Sequence, residues 1–374
     1  MLELSMKKLL PYLIIVFLFS LLVVFKHPKA LTYRFDPSLV GDYLRSQDIE
    51  DPEGKIKDRI FVSDSVIYQA TGYLYAKGED PQKHNFQHPP LIKYLFGFSI
   101  LLSGNPFYVQ IIFGLMLLLL TYFLGVKLFQ NKIVALIGPL LLLVDPVFGG
   151  MMNEALLDLG QAVFALGYII LIFFYPKRYI LIGGILGLFL VSKFWSTAVV
   201  LVALVYGYKI IFRKERIDIK KLLLSFLVAF VVFALTYTMS FIRQGSSFNL
   251  IEHQARILRF MLSHNTGSVG GPIILFVTSY FAPWWKAGVA RSVDWTILWP
   301  VGLAVGIFEA LKKRMVGGVE PFFYLLPLIY LLLISTQVPF TRYFILILPY
   351  IYQTLGKASV DLFSVWYKMG KWKE

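Results

Sequence analysis

Residues 106–126 read PFYVQIIFGLMLLLLTYFLGV and contain no charged side chain. A helix of about 17–20 apolar residues is long enough to cross the hydrocarbon core of a bilayer. Lipid offers no hydrogen-bond partners to the backbone, so a spanning segment of this kind must be helical. The stretch therefore predicts a transmembrane helix.

Similar apolar runs recur along the whole chain. Of its 374 residues, 57% are hydrophobic and only 16% are charged, whereas soluble domains carry roughly 25% charged residues. There are no cysteines, which excludes disulfides and thiolate metal sites. The sequence thus predicts an all-α polytopic membrane protein, with residues 1–374 forming one membrane-embedded domain of about ten transmembrane helices. The candidate spans are 9–25, 106–126, 133–148, 159–175, 179–192, 195–212, 222–242, 295–311, 322–336 and 343–356.

The first apolar run, residues 9–25, follows Lys7 and Lys8 and therefore resembles a signal peptide. It is longer than the usual apolar region of such a peptide, and Lys26-His27-Pro28 is not a small-residue cleavage site. We expect this run to be a retained signal anchor.

Segment 91–103 is apolar but short, and its placement decides the topology. If it lies along the outer surface, nearly all clusters of Lys and Arg between the spans face the cytoplasm, as the positive-inside rule requires. The net charge of +14 then reflects topology, and no nucleic-acid partner is expected. This arrangement predicts a multi-pass plasma-membrane protein with both termini cytoplasmic. It leaves two long outer segments, 26–105 and 243–294, with interfacial helices that include one over residues 272–285.

The same topology gathers a small set of ionisable side chains at the outer surface. Ionisable groups beside a bilayer are costly and tend to be paired or functional. Lys and Arg can hold a phosphate, and a carboxylate can act as a general base towards a hydroxyl. A phosphate at a membrane surface suggests a lipid phosphate. The candidates are Asp64, His88, Lys93, Glu154, Asp158, Lys193 and Arg342.

Two motifs in the first outer segment carry a family resemblance. Residues 63–68 read SDSVIY and residues 88–95 read HPPLIKYL. Together they resemble the first outer loop of the protein O-mannosyltransferase and aminoarabinose transferase superfamily, which consists of GT-C fold glycosyltransferases. Weaker similarities lie further along, in VDP at 144–146 with Asp158, in GLFLVSKFW at 187–195 and in PFTRYF at 339–344.

The resemblance implies a GT-C-like bundle and an inverting transfer of a monosaccharide from a polyprenyl-phosphate donor to an acceptor hydroxyl, on the outer face of the membrane. The acceptor could belong to a protein Ser or Thr, a lipid or a glycan. Asp64 is then the catalytic base. Donor phosphate binding falls to Lys93, Arg342 and Lys193, and orientation of the substrates to His88, Asp158 and Glu154.

The sequence departs from the family pattern at three positions. Ser65 stands where the family has the Glu of an Asp-Glu pair, Ile92 replaces a Gly, and Asn153 replaces an Arg. The first change removes a carboxylate that could have held a metal, so metal dependence stays open. The third suggests that the neighbouring Glu154 has taken over a polar role.

Plainer interpretations of these residues remain. Asp64 and Asp158 could each cap the start of a helix. Asp145, which precedes a proline, could simply mark the end of a helix. Lys93 and Lys193 could extend to the lipid headgroups without binding a substrate. An inactive scaffold of the same fold is also possible. The alternative from another class is a non-catalytic transporter or flippase of lipid-linked sugars. Transporters place their ionisable residues near the bilayer midplane, whereas here they lie at the ends of apolar runs on one side. No nucleotide-binding motif is found.

Overall fold

The computed structural model describes residues 2–46, 60–263, 267–283, 287–313 and 318–371. Residues 47–59 of the acidic stretch 30–60 and the pair Trp284-Trp285 therefore lie outside the described parts. The protein is almost entirely helical, as predicted. Ten segments form the apolar bundle: α1 Leu2–Leu21 with a π-helical turn Leu22–Lys26, α6 Phe107–Phe129, α7 Lys132–Leu143, α9 Asp158–Phe174, α10 Tyr179–Leu190, α11 Trp195–Ile211, α12 Ile219–Leu235, α16 Leu298–Lys313, α17 Glu320–Leu333 and α18 Leu348–Lys371. Shorter elements connect them: α2 Pro28–Thr32, α3 Ser38–Ser46, α4 Asp64–Ala76, α5 Leu91–Ser103, α8 Pro146–Gly150, α13 Thr238–Gln244, α14 Leu250–Ser263, α15 Gly271–Thr278, β1 Tyr280–Phe281, β2 Ala290–Arg291 and 3₁₀ turns at Met151–Asn153, Gly245–Ser247 and Thr341–Leu346.

Every predicted span contains a helix, but several helices are short or bent. In the described parts of the chain, Leu9–Lys26 and Phe107–Phe129 are each long and apolar enough to cross a membrane alone. The number rises to four if each of two bent helix pairs counts as one span. The chain bends by 58° between α7 and the helix that follows it, and by 55° between α12 and the helix that follows it. Five further apolar helices have 10–17 residues. The protein is thus an integral membrane protein, while the count of ten crossings and their orientation remain predictions.

Helix α9 lies at the centre of the bundle. Nearly all of its residues are buried, as expected for a helix that is apolar on every side. It packs against α6 on one side and α10 on another, and the 3₁₀ turn Thr341–Leu346 packs against it as well. This packing brings the start of α9 beside Arg342.

Helices α4 and α5 form a close pair. Helix α5 has 13 residues and is therefore about 20 Å long, which is shorter than a hydrocarbon core of about 30 Å. The pair approaches closely because both helices carry glycine at the contact, Gly72 on α4 and Gly97 on α5. The same pair fixes the start of α4 relative to the loop that precedes α5.

Replacing Gly97 with alanine is expected to destabilise this pair. The added Cβ would overlap the carbonyl oxygen of Gly72, and overpacking of this kind costs at least about 1–3 kcal/mol. Gly184→Ala in α10 is the matched control, since a Cβ there meets no atom within 4 Å and alanine favours a helix. Thermal unfolding in detergent should show a lower midpoint for Gly97→Ala and an equal or higher one for Gly184→Ala. Equal midpoints for both variants would contradict the tight contact.

The second outer segment corrects one expectation. The helix predicted over 272–285 ends at Thr278. The chain then enters the short β1–β2 hairpin. Ser279 takes a left-handed conformation with φ of +73°, which ends the helix. Trp295 Nε1 donates to the carbonyl of Phe276 at 2.8 Å, so the indole that follows the hairpin is fixed to the end of α15.

Candidate active site

Four ionisable side chains from distant parts of the sequence form one cluster of ion pairs. The Arg342 guanidinium donates to the Asp64 carboxylate, and its Nε lies 3.9 Å from Asp158 Oδ2. The Lys193 ammonium lies 2.5 Å from the other oxygen of Asp158. Asp158 and Lys193 are each only 4% exposed, whereas Asp64 is 37% exposed. Asp64 is therefore the carboxylate that an incoming molecule can reach.

The local structure explains why these side chains are available for the cluster. Ser63 caps α4, accepting from the amide of Val66 at 3.4 Å, so the Asp64 carboxylate is not the cap. Asp158 is the first residue of α9, and no side chain caps that helix. A capping role therefore does not account for either carboxylate.

Aromatic rings surround the two cations. Lys193 Nζ lies 4.3 Å from the centre of the Tyr343 ring and 5.2 Å from that of Phe194. The Arg342 guanidinium lies 4.5 Å from the ring of Phe340. Such contacts stabilise a cation that is removed from water, and they keep both cations in place next to the carboxylates.

His88 lies against one of these rings, Phe194, and against Tyr68. Its imidazole is 4.8 Å from Phe194 and 5.8 Å from Tyr68, measured between ring centres. Burial lowers the pKa of His88 well below 6.5, and the nearby charges of Lys93 and Lys193 lower the pKa further. The side chain is therefore a neutral hydrogen-bonding group at neutral pH.

Two cavities meet at this cluster. The polar cavity, of 320 Å³, is lined by Asp64, Tyr68, His88, Lys193, Phe194, Met261, Val338, Phe340, Arg342 and Tyr343. The apolar groove, of 380 Å³, is bounded mainly by apolar side chains of α11, α14 and α17. The residues that line both are Lys193, Phe194, Met261 and Tyr343.

Glu154 lies beside the cluster without lining either cavity. Burial by the surrounding loop raises the pKa of its carboxyl, Arg342 opposes this rise, and Asp294 and Asp64 add to it. The loop is anchored because the Ala155 amide donates to Ser65 Oγ at 2.8 Å. Ser65, which stands where the family has Glu, thus connects the start of α4 to the Glu154 loop.

Lys93 has a different environment from the one expected. Its ammonium is fully buried and donates to the Asn85 carbonyl at 2.7 Å, the His88 carbonyl at 2.8 Å and the Tyr75 hydroxyl at 3.2 Å. It does not line either cavity. These contacts hold the loop that carries His88, and phosphate binding by Lys93 stays a prediction.

Asp145 also has a structural environment. It caps α8 by accepting from the Val147 amide at 2.8 Å, and its other oxygen accepts from Trp299 Nε1 at 2.8 Å and from the Tyr352 hydroxyl. This carboxylate ties α8 to α16 and α18 and does not line the polar cavity.

Several residues at the cavities received no role from the sequence: Tyr68, Gln161, Phe194, Met261, Phe340 and Tyr343. The four aromatic ones lie within the motifs quoted above. Aromatic residues are common wherever a helix meets the membrane surface, so residue type alone does not distinguish them. For the metal question, which the sequence leaves open, the described residues contain no group of three or more metal-ligating His, Asp or Glu side chains.

Helix α14 lines both cavities and carries a buried histidine, His253, that packs it against the rest of the protein. His253 is 4% exposed and packs among the rings of Phe86, Tyr237 and Phe248. Burial lowers its pKa from 6.5 to about 4, with Arg256 adding to this effect. The neutral imidazole is thus the form that fits the aromatic cluster.

We expect acid to weaken the fold through His253. The unfolded chain takes up this proton near pH 6.5 and the folded chain only near pH 4, so stability is complete above pH 6.5 and is lost as the pH falls towards 4. The loss approaches about 3 kcal/mol at most. The variant His253→Phe should flatten the plot of unfolding midpoint against pH between 7 and 4.5. Identical slopes for the variant and the wild type would contradict this.

The comparisons with known proteins agree with this fold. No model of a known protein family matches the sequence, and no curated protein matches it. Among solved structures, the apo crystal structure of ArnT from Cupriavidus metallidurans matches with a TM-score of 0.59 at 13% identity, over 86% of this chain and 57% of the ArnT chain. The structure of the same protein bound to undecaprenyl phosphate matches with a TM-score of 0.57 at 14% identity, over 86% and 58% of the two chains. The chain thus spans less than two thirds of ArnT, and it has the GT-C membrane fold that its sequence motifs imply.

Proposed function

We propose that the protein is a membrane glycosyltransferase that takes a monosaccharide from a polyprenyl-phosphate donor. The observation that carries this proposal is the junction of an apolar groove with a polar cavity at Lys193 and Tyr343, next to Arg342 and a reachable Asp64. A long apolar chain fits the groove, an anion fits the cations, and a sugar with its acceptor fits the polar cavity. One of the matching ArnT structures holds undecaprenyl phosphate.

The donor phosphate would lie at the junction, next to Lys193 and Arg342. Both cations are paired with carboxylates in the structure. Arg342 can turn towards the phosphate, because its guanidinium has five donors and Nε has no hydrogen-bond partner within the described residues. As Arg342 turns, the Asp64 carboxylate becomes free to accept a proton.

Transfer then proceeds by displacement at the anomeric carbon. The acceptor hydroxyl oxygen forms the new glycosidic bond while Asp64 takes its proton, and the bond from the anomeric carbon to the phosphate oxygen breaks. The electron pair of the broken bond stays on the phosphate, where Lys193 and Arg342 stabilise it. Attack opposite the leaving phosphate inverts the anomeric centre. His88, which lines the polar cavity, orients the substrates directly, whereas Asp158 and Glu154 act through the cations Lys193 and Arg342.

The proposal places this chemistry at the outer membrane surface, with both termini in the cytoplasm and a protein, lipid or glycan hydroxyl as acceptor. A passive transporter of lipid-linked sugars is the alternative. It is disfavoured because the ionisable cluster lies at helix ends, at the mouth of a groove, and not midway along the spanning helices.

The decisive test is to incubate the purified protein with a panel of polyprenyl-phosphate sugars and candidate acceptors. We expect one donor to release polyprenyl phosphate in step with the formation of a glycosylated acceptor. Folded protein that binds these donors without releasing the phosphate would support the transporter. Folded protein that neither binds nor cleaves any of them would overturn the proposal.

A further inference from the structure

Gln161 is a buried polar residue that the transfer reaction described above does not use. It lies on α9 one helical turn after Asp158, is 5% exposed and lines the apolar groove. Its Nε2 has no hydrogen-bond partner in the described parts of the chain. An unpaired buried donor costs about 1–3 kcal/mol, so its presence in an apolar wall calls for an explanation.

The bundle satisfies another buried glutamine completely on its donor side. Gln353 on α18 is 1% exposed, and its Nε2 donates to the carbonyl of Thr121 at 2.7 Å and to that of Ala135 at 3.0 Å. A glutamine that only joins helices can thus find partners in this fold. Gln161 lines the groove, and its unpaired Nε2 is covered by the surrounding side chains. A turn of the terminal amide exchanges nitrogen and oxygen and brings the N–H to the groove, so a partner that enters the cavity can accept from it.

The position of Gln161 identifies the chemistry of that partner. Residues three apart on a helix have Cβ atoms about 5–6 Å from each other, so the Gln161 amide projects close to the Asp158–Lys193 pair. Lys193 and Tyr343 belong to both cavities, and this end of the groove is where the anionic head of a lipid would meet the cations. Lys193 and Arg342 must give up a carboxylate partner before they can bind a phosphate. The neutral amide of Gln161 is not in an ion pair and can donate to the phosphate directly.

We propose that Gln161 binds the phosphate of the lipid donor through its amide N–H and so determines that the groove accepts a phosphorylated polyprenol. This inference rests on the proposed function, since it assigns one more ligand to the same donor. It makes Gln161 a donor-binding residue whose loss affects the phosphate and not the hydrocarbon chain.

The test compares wild type with Gln161→Leu in detergent, using undecaprenyl phosphate and undecaprenol, the same chain without phosphate. We expect the variant to bind the phosphate roughly 10- to 100-fold more weakly, as for a hydrogen bond to a charged group, and undecaprenol equally well. We also expect an equal or higher unfolding midpoint without ligand, because an apolar side chain removes the unpaired donor. The variant Gln161→Glu should lose still more phosphate affinity by repulsion.

The variant Gln353→Leu separates this role from a structural one. It breaks two made hydrogen bonds and should lower the unfolding midpoint, the opposite of Gln161→Leu. The inference is overturned if wild type binds the phosphate and Gln161→Leu binds it equally well. It is also overturned if Gln161→Leu loses stability and weakens both lipids alike. Failure of wild type to bind any polyprenyl phosphate would instead reject the proposed function itself.

Discussion

Replacing Asp64 with asparagine should lower the rate of sugar transfer by about 10²- to 10⁴-fold, the usual contribution of a general base. The change keeps the shape of the side chain but removes the proton acceptor. It also removes the charge that holds Arg342. The affinity for the lipid phosphate should therefore stay the same or increase, because Arg342 no longer exchanges one anion for another. A loss of turnover with retained or tighter donor binding is the expected signature.

The measurement is single-turnover release of polyprenyl phosphate, together with the affinity for that lipid. Asp36→Asn is the matched control: Asp36 is exposed and accepts from Ser38, including from its amide at 2.9 Å, a role that asparagine also fills. The control should transfer sugar at the wild-type rate. Near-normal transfer by Asp64→Asn would show that Asp64 is not the base, and a parallel loss of donor affinity would assign it to binding.

The positions of the helices could be predicted because a bilayer demands long apolar runs. Their breaks could not. The predicted span 133–148 is interrupted because Asp145 caps a new helix that Pro146 begins, and the carboxylate gains partners from Trp299 and Tyr352, which are more than 150 residues away. Local sequence identifies a possible cap, but only the folded bundle supplies those distant partners.

The candidate site could be predicted in part. Asp64, Asp158, Lys193 and Arg342 were each found through short motifs, and the structure brings all four together. Lys93 shows the limit of such motifs, since a lysine one turn into a helix looks the same whether it faces a substrate or a loop carbonyl. The direction in which the Lys93 side chain points depends on how residues 78–90 fold back over α5. Gln161 carried no signal, because a glutamine in an apolar helix looks the same in the sequence whether or not its amide is paired inside the bundle.

Removing Lys193 should have the largest effect on stability. The Lys193–Asp158 pair is 4% exposed on both sides, and breaking a buried pair by deleting one partner costs about 3–5 kcal/mol because the other charge is left buried. We expect Lys193→Met to lower the unfolding midpoint strongly and to abolish transfer. Arg342 is 3.9 Å from the same carboxylate and compensates only part of the loss.

The double variant Lys193→Met with Asp158→Leu distinguishes stability from function. An apolar pair of similar volume often replaces a buried ion pair without loss of stability, so the double variant should recover most of the midpoint while remaining at least about 100-fold slower in transfer. The matched control is the pair Lys221–Asp218, which has the same charges 2.8 Å apart but is about half exposed. Removing Lys221 there should leave the unfolding midpoint nearly unchanged, because water screens an exposed pair. If the double variant recovers both stability and transfer, the pair only holds α9 to the turn before α11. If Lys193 binds the leaving phosphate, we expect the double variant to recover stability alone.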